Sequence, residues 1–121
     1  PYAEGHPSLK GRLAFINTHA DAPEAAYFTM NDPVAQQADI QARVRLGFLV
    51  RTRADADTRE ARTGDVRRRE AALASGAQYI STDYMEPDVR FGTGYTARLP
   101  DGAAARCNPV NAPPGCVGPL D

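Results

Sequence analysis

The stretch from Gly47 to Tyr84 is the part of the sequence that most constrains the fold of this chain. Two short apolar runs, Phe48 to Val50 and Tyr79 to Ile80, each end in polar and charged residues and are joined by one helical segment. This pattern predicts a strand, helix, strand unit whose strands run parallel and finish at the same edge of a sheet. Parallel α/β folds and barrels place their chemistry at that edge, so the polar residues there are candidate functional groups.

Upstream of this unit the sequence predicts a further strand and helix. Leu13 to Asn17 is a short apolar run bounded by polar residues, which is typical of a buried strand. Pro23 to Met30 fits one or two helical turns, and Val34 to Leu46 fits an amphipathic helix that Gly47 ends. We expect the second strand at Phe48 to Arg53.

The predicted order of elements favours an α/β fold with parallel strands joined by right-handed crossovers. The later crossover helix is expected at 65–75 and the third strand at 78–82. Three parallel strands cannot close a barrel, so the remaining strands would come from upstream sequence or another chain. Because the sequence begins with Pro1 and its opening resembles the approach to a strand inside a fold, we expect a piece of a longer protein.

Alternation along the second strand places two arginines on one face of the sheet. Val50 and Thr52 share the face that should meet helices, whereas Arg51 and Arg53 share the other face. Burying an unpaired charge is too costly for a plain core. The arginine face should therefore open toward carboxylates, water or an anionic ligand.

The chain changes character after about residue 85, since most of the prolines and half of the glycines follow that point. We divide the chain into residues 1–85, carrying the strands and helices, and a tail at 86–121. The segments 94–99 and 103–107 predict a hairpin that turns at Asp101 and Gly102. Cys107 and Cys116 flank a loop of prolines and glycine and predict a disulfide, which indicates an oxidising, extracellular compartment. The alternative is two buried thiols in a cytosolic protein.

Several polar residues lie at the ends of the second and third strands, where they could contact a ligand. They are Arg51, Arg53, Asp55, Asp57, Ser81, Asp83 and Tyr84. The arginines could hold a phosphate by forked hydrogen bonds, or form an internal ion-pair network with Asp55 and Asp83. Asp83 and Tyr84 could orient a polyol, or Tyr84 could simply fill the rim of a barrel.

Composition and motifs exclude several classes of function. The net charge is −1, with acidic and basic residues interspersed, which gives no electrostatic case for nucleic acid or an anionic membrane surface as the main partner. His6 and His19 lie in no metal-binding or catalytic spacing, and no phosphate-binding glycine loop or GxSxG motif is present. A self-sufficient enzyme is therefore not expected from this chain alone. Asp55 and Asp57 could share a cation such as Ca2+, but Asp57 and Glu60 also fit a capping box for the next helix, and we assign no metal ligand to this chain.

Long segments of the chain resemble one enzyme family. LVRTRADADT, the following ALASGAQYISTDY and the closing ARCNPVNAPPGC are similar to the C-terminal part of calcium-dependent phosphatidylinositol-specific phospholipases C of bacteria and fungi. The opening GHPSLKGRLAFIN and the NDP at residues 31–33 also resemble that family. GAQYISTDY resembles, more broadly, the last barrel strand of the glycerophosphodiester phosphodiesterases.

The resemblance implies the C-terminal part of a TIM (β/α)8 barrel in a secreted phosphodiesterase. In that family an inositol hydroxyl attacks the phosphodiester, a histidine pair moves the protons, and Ca2+ offsets the phosphate charge. The catalytic residues and calcium ligands are expected upstream of this chain, which would be inactive alone and would need the rest of the barrel. It would supply substrate-binding residues for a phosphoinositide, and would meet a membrane surface only through that substrate. The assigned residues are Arg51, Arg53, Asp55, Asp83 and Tyr84.

Two other functions stay open at this point. The chain could belong to a glycerophosphodiester phosphodiesterase, which acidic metal ligands beside the upstream histidines would indicate. It could instead belong to a barrel that has lost catalysis and only binds polyols or phosphorylated sugars, which missing upstream histidines would favour.

Overall fold

The computed structural model describes residues 2, 4–6, 8–12, 14, 18–117 and 119–120. Along the chain its elements are β1 (Tyr27–Thr29), α1 (Gln37–Arg45), β2 (Leu49–Arg53), α2 (Arg59–Thr63), α3 (Arg67–Ala74), β3 (Tyr79–Ser81), a 3₁₀ turn (Pro100–Gly102), β4 (Ala105–Arg106) and β5 (Pro119–Leu120). The strand predicted at 13–17 falls almost entirely outside the described residues. From β1 to β3, strands alternate with helices, as an α/β fold requires.

β1, β2 and β3 form a parallel sheet with β2 in the centre, which confirms the predicted parallel pairing of three strands. Arg51 in β2 lies opposite Thr29 of β1 and Tyr79 of β3, and Arg53 lies opposite Ser81. Since all three strands run the same way, their last residues meet at one edge, called the carboxyl edge below. The opposite edge, where the strands begin, is called the amino edge.

The first strand of this sheet is not where the sequence predicts it. β1 covers Tyr27–Thr29, inside the segment Pro23–Met30 for which helical turns are expected, so that helical prediction is wrong. The ring of Phe28 meets Phe48 edge to face at 5.2 Å and packs beside the helix-covered core. Packing against a neighbouring strand here outweighs the local helical preference, as is common for aromatic residues in sheets.

Among the described residues, helices cover one face of the sheet and leave the other open. Ile40 and Val44 of α1 form the core with Val50, and Thr52 on the same face of β2 is also fully buried. The predicted alternation of β2 is thus confirmed. The opposite side, called the open face, carries Leu49, Arg51 and Arg53 of β2, Tyr27 and Thr29 of β1, and Tyr79 and Ser81 of β3. Tyr79 is 53% exposed there.

A second, smaller cluster packs beyond the carboxyl edge. Ala61 of α2 is buried with Tyr84 and Tyr95, whose rings meet edge to face at 5.8 Å. The Tyr95 hydroxyl donates to the Ala54 carbonyl at 3.0 Å, and Thr93 donates to the Ala61 carbonyl at 2.6 Å. The sequence does not predict α2 as a separate helix, and this cluster holds it against the segment that follows β3.

The tail contains a disulfide, as predicted, but not the predicted hairpin. Cys107 and Cys116 are bonded, and β4 pairs antiparallel with β5. Residues 94–99 form no strand, so the pairing of 94–99 with 103–107 is wrong. Asp101 and Gly102 do turn the chain, with φ of 58° and 70°. The disulfide joins the ends of the 107–116 loop, and β4 and β5 pair on either side of that loop. Tyr95, in the predicted first strand of the hairpin, instead packs in the cluster with Ala61 and Tyr84.

The disulfide loop lies against the amino edge of the sheet. Asn108 donates from its side chain to the Gly76 carbonyl at 2.7 Å, and Asn111 donates to the Val44 carbonyl at 3.0 Å. Arg106 donates to the Leu73 carbonyl. These carbonyls lie in or just beyond the last turns of α1 and α3, where a helix leaves its acceptors unpaired. The tail therefore caps two helices at the edge opposite the candidate site.

Candidate functional site

Polar side chains from three neighbouring strands come together at the carboxyl edge. Asn31 follows β1, Arg51 and Arg53 end β2, and Ser81 and Asp83 come at and after the end of β3. The parallel register brings these groups side by side because each strand ends at the same level. The site is consequently built from residues about 20 to 30 positions apart in sequence.

Arg51 is held by neutral groups only. Its Nε donates to the Ser81 hydroxyl at 2.7 Å, and its Nη1 donates to the side-chain oxygen of Asn31 at 3.0 Å. Within the described part of the chain, no carboxylate lies in ion-pair distance of this half-buried guanidinium. Its positive charge therefore has no counter-ion among the residues that the structure describes, and none of these residues accepts from its Nη2.

Arg53, two residues further along the same face, belongs to an ion-pair network. Its Nη2 donates to Asp83 at 2.8 Å and lies 4.0 Å from a carboxylate oxygen of Asp55. The Asp83 side chain is 61% exposed, so this carboxylate faces solvent as well as the arginine. The two alternatives considered for the arginines thus separate: Arg53 takes part in the internal network, and Arg51 does not.

Asp55 is fully buried and ties the end of β2 to the end of β3. One carboxylate oxygen accepts from the Thr82 hydroxyl at 2.5 Å, and the other accepts from the backbone N–H of Asp83 at 3.2 Å. With both oxygens engaged and no exposure, Asp55 holds its neighbours in place. Its direct contact with a substrate stays a prediction.

Tyr84 lies in the packed cluster beside α2 and away from the open face. It is 9% exposed, and its hydroxyl donates to the Asp57 carbonyl at 3.2 Å. Burial raises the pKa of the Tyr84 phenol, and the nearby negative charge of Asp55 adds to the rise. This placement favours the rim-filling interpretation of Tyr84 over a contact with the face of a sugar.

Comparison with known families shows to which family the chain belongs. One family model, described as phosphoinositide phospholipase C, Ca2+-dependent, matches residues 1–109. The chain belongs to this family. No curated protein and no solved structure matches the chain. The match covers β1 to β4 and all of the residues at the carboxyl edge, and ends within the disulfide loop.

The described residues form no binding site for the Ca2+ on which this phospholipase C family depends. No group of three or more histidine, cysteine, aspartate or glutamate side chains is arranged there to hold a metal ion. The most buried carboxylate at the carboxyl edge, Asp55, already accepts two hydrogen bonds. Calcium takes six to eight oxygen ligands, about as many as several carboxylates and carbonyls supply together. The described residues therefore do not fit a calcium site.

Sequence reasoning misses one residue of this candidate site, Asn31, and misplaces the contact of a second residue, Glu60. Asn31 enters the sequence analysis only within the NDP segment of the resemblance, although it follows a strand at the carboxyl edge and accepts from Arg51. Glu60 is buried in α2 and does not form the capping box considered for it with Asp57, because it accepts from the Ala56 N–H at 2.9 Å and from Arg59. Burial alone would raise the pKa of Glu60, but these hydrogen bonds outweigh it and lower the pKa. The sequence does carry a signal for Asn31, because this residue follows the aromatic run at Tyr27 to Phe28.

Proposed function

We propose that this chain is the C-terminal part of a secreted TIM-barrel phosphodiesterase that cleaves an inositol phospholipid with calcium, and that Arg51 binds the substrate phosphate. The observation that carries the proposal is the guanidinium of Arg51 at the carboxyl edge, which meets only neutral acceptors among the described residues. A phosphodiester carries one negative charge, and arginine offers a planar set of donors that matches its oxygens. The family match supplies the chemical class of the anion.

Arg53 and Asp83 lie next to this position and suit the rest of the head group. Their 2.8 Å ion pair leaves an exposed carboxylate on the edge, and carboxylates accept hydrogen bonds from sugar hydroxyls. In this arrangement Arg51 would hold the phosphate and Asp83 would orient the inositol ring. The buried Asp55 carboxylate would hold Asp83 in place by accepting from its backbone N–H.

The bond-breaking groups belong elsewhere in the proposed enzyme. The described residues fit no calcium site, and none of the groups at the carboxyl edge is a histidine. The acid and base for proton transfer and the calcium ligands would come from earlier barrel strands. The chain alone would then bind the phosphate without cleaving the phosphodiester.

The Cys107–Cys116 disulfide supports secretion, because such bonds persist mainly in oxidising compartments. Among the described residues, no helix has the length and hydropathy that crossing a bilayer demands. The mixed charges give no broad basic surface, so the proposed contact with a membrane is through the substrate.

The test is a calorimetric titration of the chain with myo-inositol 1-phosphate, with myo-inositol alone as the uncharged comparison. R51M should weaken binding of the phosphate by about tenfold or more, since a hydrogen bond to a charged group contributes about 1.5–3 kcal/mol. The matched control is R45M, which removes an exposed arginine from α1, far from the carboxyl edge. Equal loss in R51M and R45M would contradict the assignment. Calcium-dependent release of an inositol phosphate by these 121 residues would contradict the proposal that the catalytic groups lie outside this chain.

A further inference from the structure

Asn31 occupies a position from which it can set the orientation of Arg51. It follows β1 at the carboxyl edge, and its side-chain oxygen accepts from Arg51 Nη1 at 3.0 Å. Its own backbone carbonyl accepts from the guanidinium of Arg68, in the first turn of α3. The backbone of Asn31 is thus held by Arg68 of α3, while its side-chain amide contacts Arg51 of the open face.

The guanidinium of Arg51 is held across the whole width of the sheet. Asn31 accepts from it on the β1 side, and Ser81 accepts from it on the β3 side. Both acceptors are neutral, so they direct the group without cancelling its charge. A long arginine side chain that is already ordered loses less conformational freedom when an anion binds.

We propose that Asn31 is a positioning residue for anion binding by Arg51, and that its amide orients the Arg51 Nη2 edge toward a phosphate oxygen. This inference rests on the proposed function of Arg51. Asn31 acts through Arg51, so its loss should weaken the binding of an anion without removing the binding group. An uncharged polyol gains nothing from the orientation of Arg51 and should bind equally well without Asn31.

The experiment compares N31A with Q41A. Gln41 on α1 accepts from Arg45 Nη2 at 3.3 Å, so Q41A also removes an amide oxygen from an arginine, but away from the carboxyl edge. Each protein is titrated with inorganic phosphate and, separately, with myo-inositol. The order of the Arg51 side chain is read from the heteronuclear NOE of its Nε–H signal, which R51K identifies by its disappearance. Urea unfolding of each variant records stability.

N31A is expected to bind inorganic phosphate about tenfold more weakly than the unmodified chain and to show a lower Arg51 NOE. Its unfolding midpoint should match that of Q41A, and Q41A should bind phosphate normally. Unchanged phosphate affinity or an unchanged NOE in N31A would overturn the positioning role, as would a loss of affinity that only tracks a loss of stability. If the unmodified chain binds no phosphate, the proposed function of Arg51 fails, and the NOE still decides whether Asn31 orders Arg51.

Discussion

Replacing Gly76 with alanine tests how closely the tail packs against the amino edge. Gly76 follows the C-terminal end of α3 with φ of 78°, in the left-handed region that favours glycine. A Cβ atom at this position would lie 2.5 Å from Val110 Cγ2 and 2.8 Å from Val110 Cβ. It would also lie 3.1 Å from Asn108 Oδ1. An alanine therefore cannot fit unless the disulfide loop moves.

The expected destabilisation has two parts. Left-handed backbone geometry costs a non-glycine residue about 1–2 kcal/mol. Forcing an extra carbon into a packed contact costs about 1–3 kcal/mol more. G76A should therefore lower the free energy of unfolding by about 2–5 kcal/mol. Gly47 has φ of 87°, and apart from its chain neighbours no atom of the described residues lies within 4 Å of the position of an added Cβ. G47A should therefore show only the cost of the left-handed backbone.

Urea unfolding followed by circular dichroism measures both variants under the same conditions. V110A removes the nearest atom but leaves the Val110 Cβ at 2.8 Å, so it should reduce the cost of G76A in part. A double-mutant cycle isolates this coupling between Gly76 and Val110. Equal effects of G76A and G47A, or additive effects of G76A and V110A, would refute the packing of the tail on α3.

Three further predictions concern stability. Replacing Cys107 and Cys116 with serine should lower the free energy of unfolding by about 3 kcal/mol, as the chain-entropy model gives for a loop of this size, measured by urea unfolding. Hydrogen bonds from Arg67 lower the pKa of Asp65 to about 2. The ionised Asp65 therefore stabilises the fold above its unfolded pKa near 3.8, and this contribution is lost as the pH falls toward 2. The free energy of unfolding of D65N should fall less over that interval. Burial raises the pKa of the Tyr95 phenol to about 12. The neutral phenol therefore stabilises the fold below its unfolded pKa of 10.0, and this contribution is lost as the pH rises toward 12. The free energy of unfolding of Y95F should fall less over that interval, and tyrosinate absorbance follows the titration.

The elements with a strong local pattern could be predicted from the sequence. α1 lies inside 34–46, β2 inside 48–53, α3 inside 65–75 and β3 inside 78–82. Each has an apolar periodicity and a bounding glycine or charged end. The alternation of β2 also places Arg51 and Arg53 on a common face opposite the core.

Features that depend on distant partners could not be read in this way. β1 has three residues, and its pairing with β2 is not encoded in its own segment. β4 pairs with β5 across the disulfide loop, so a local hairpin signal is misleading. At the site, Arg51 and Arg53 share the same sequence pattern, and only the register shows that Arg53 meets Asp83 while Arg51 meets neutral acceptors.

The central claim is that Arg51 binds the phosphate of an inositol head group while the reaction itself needs groups outside this chain. The most direct measurement is a titration of the chain with myo-inositol 1-phosphate, observed at the arginine Nε–H signals by NMR. We predict that the Arg51 signal shifts most and that the Arg53 signal shifts to a smaller extent. A titration in which Arg51 does not respond, or responds no more than the exposed Arg45, would contradict the claim.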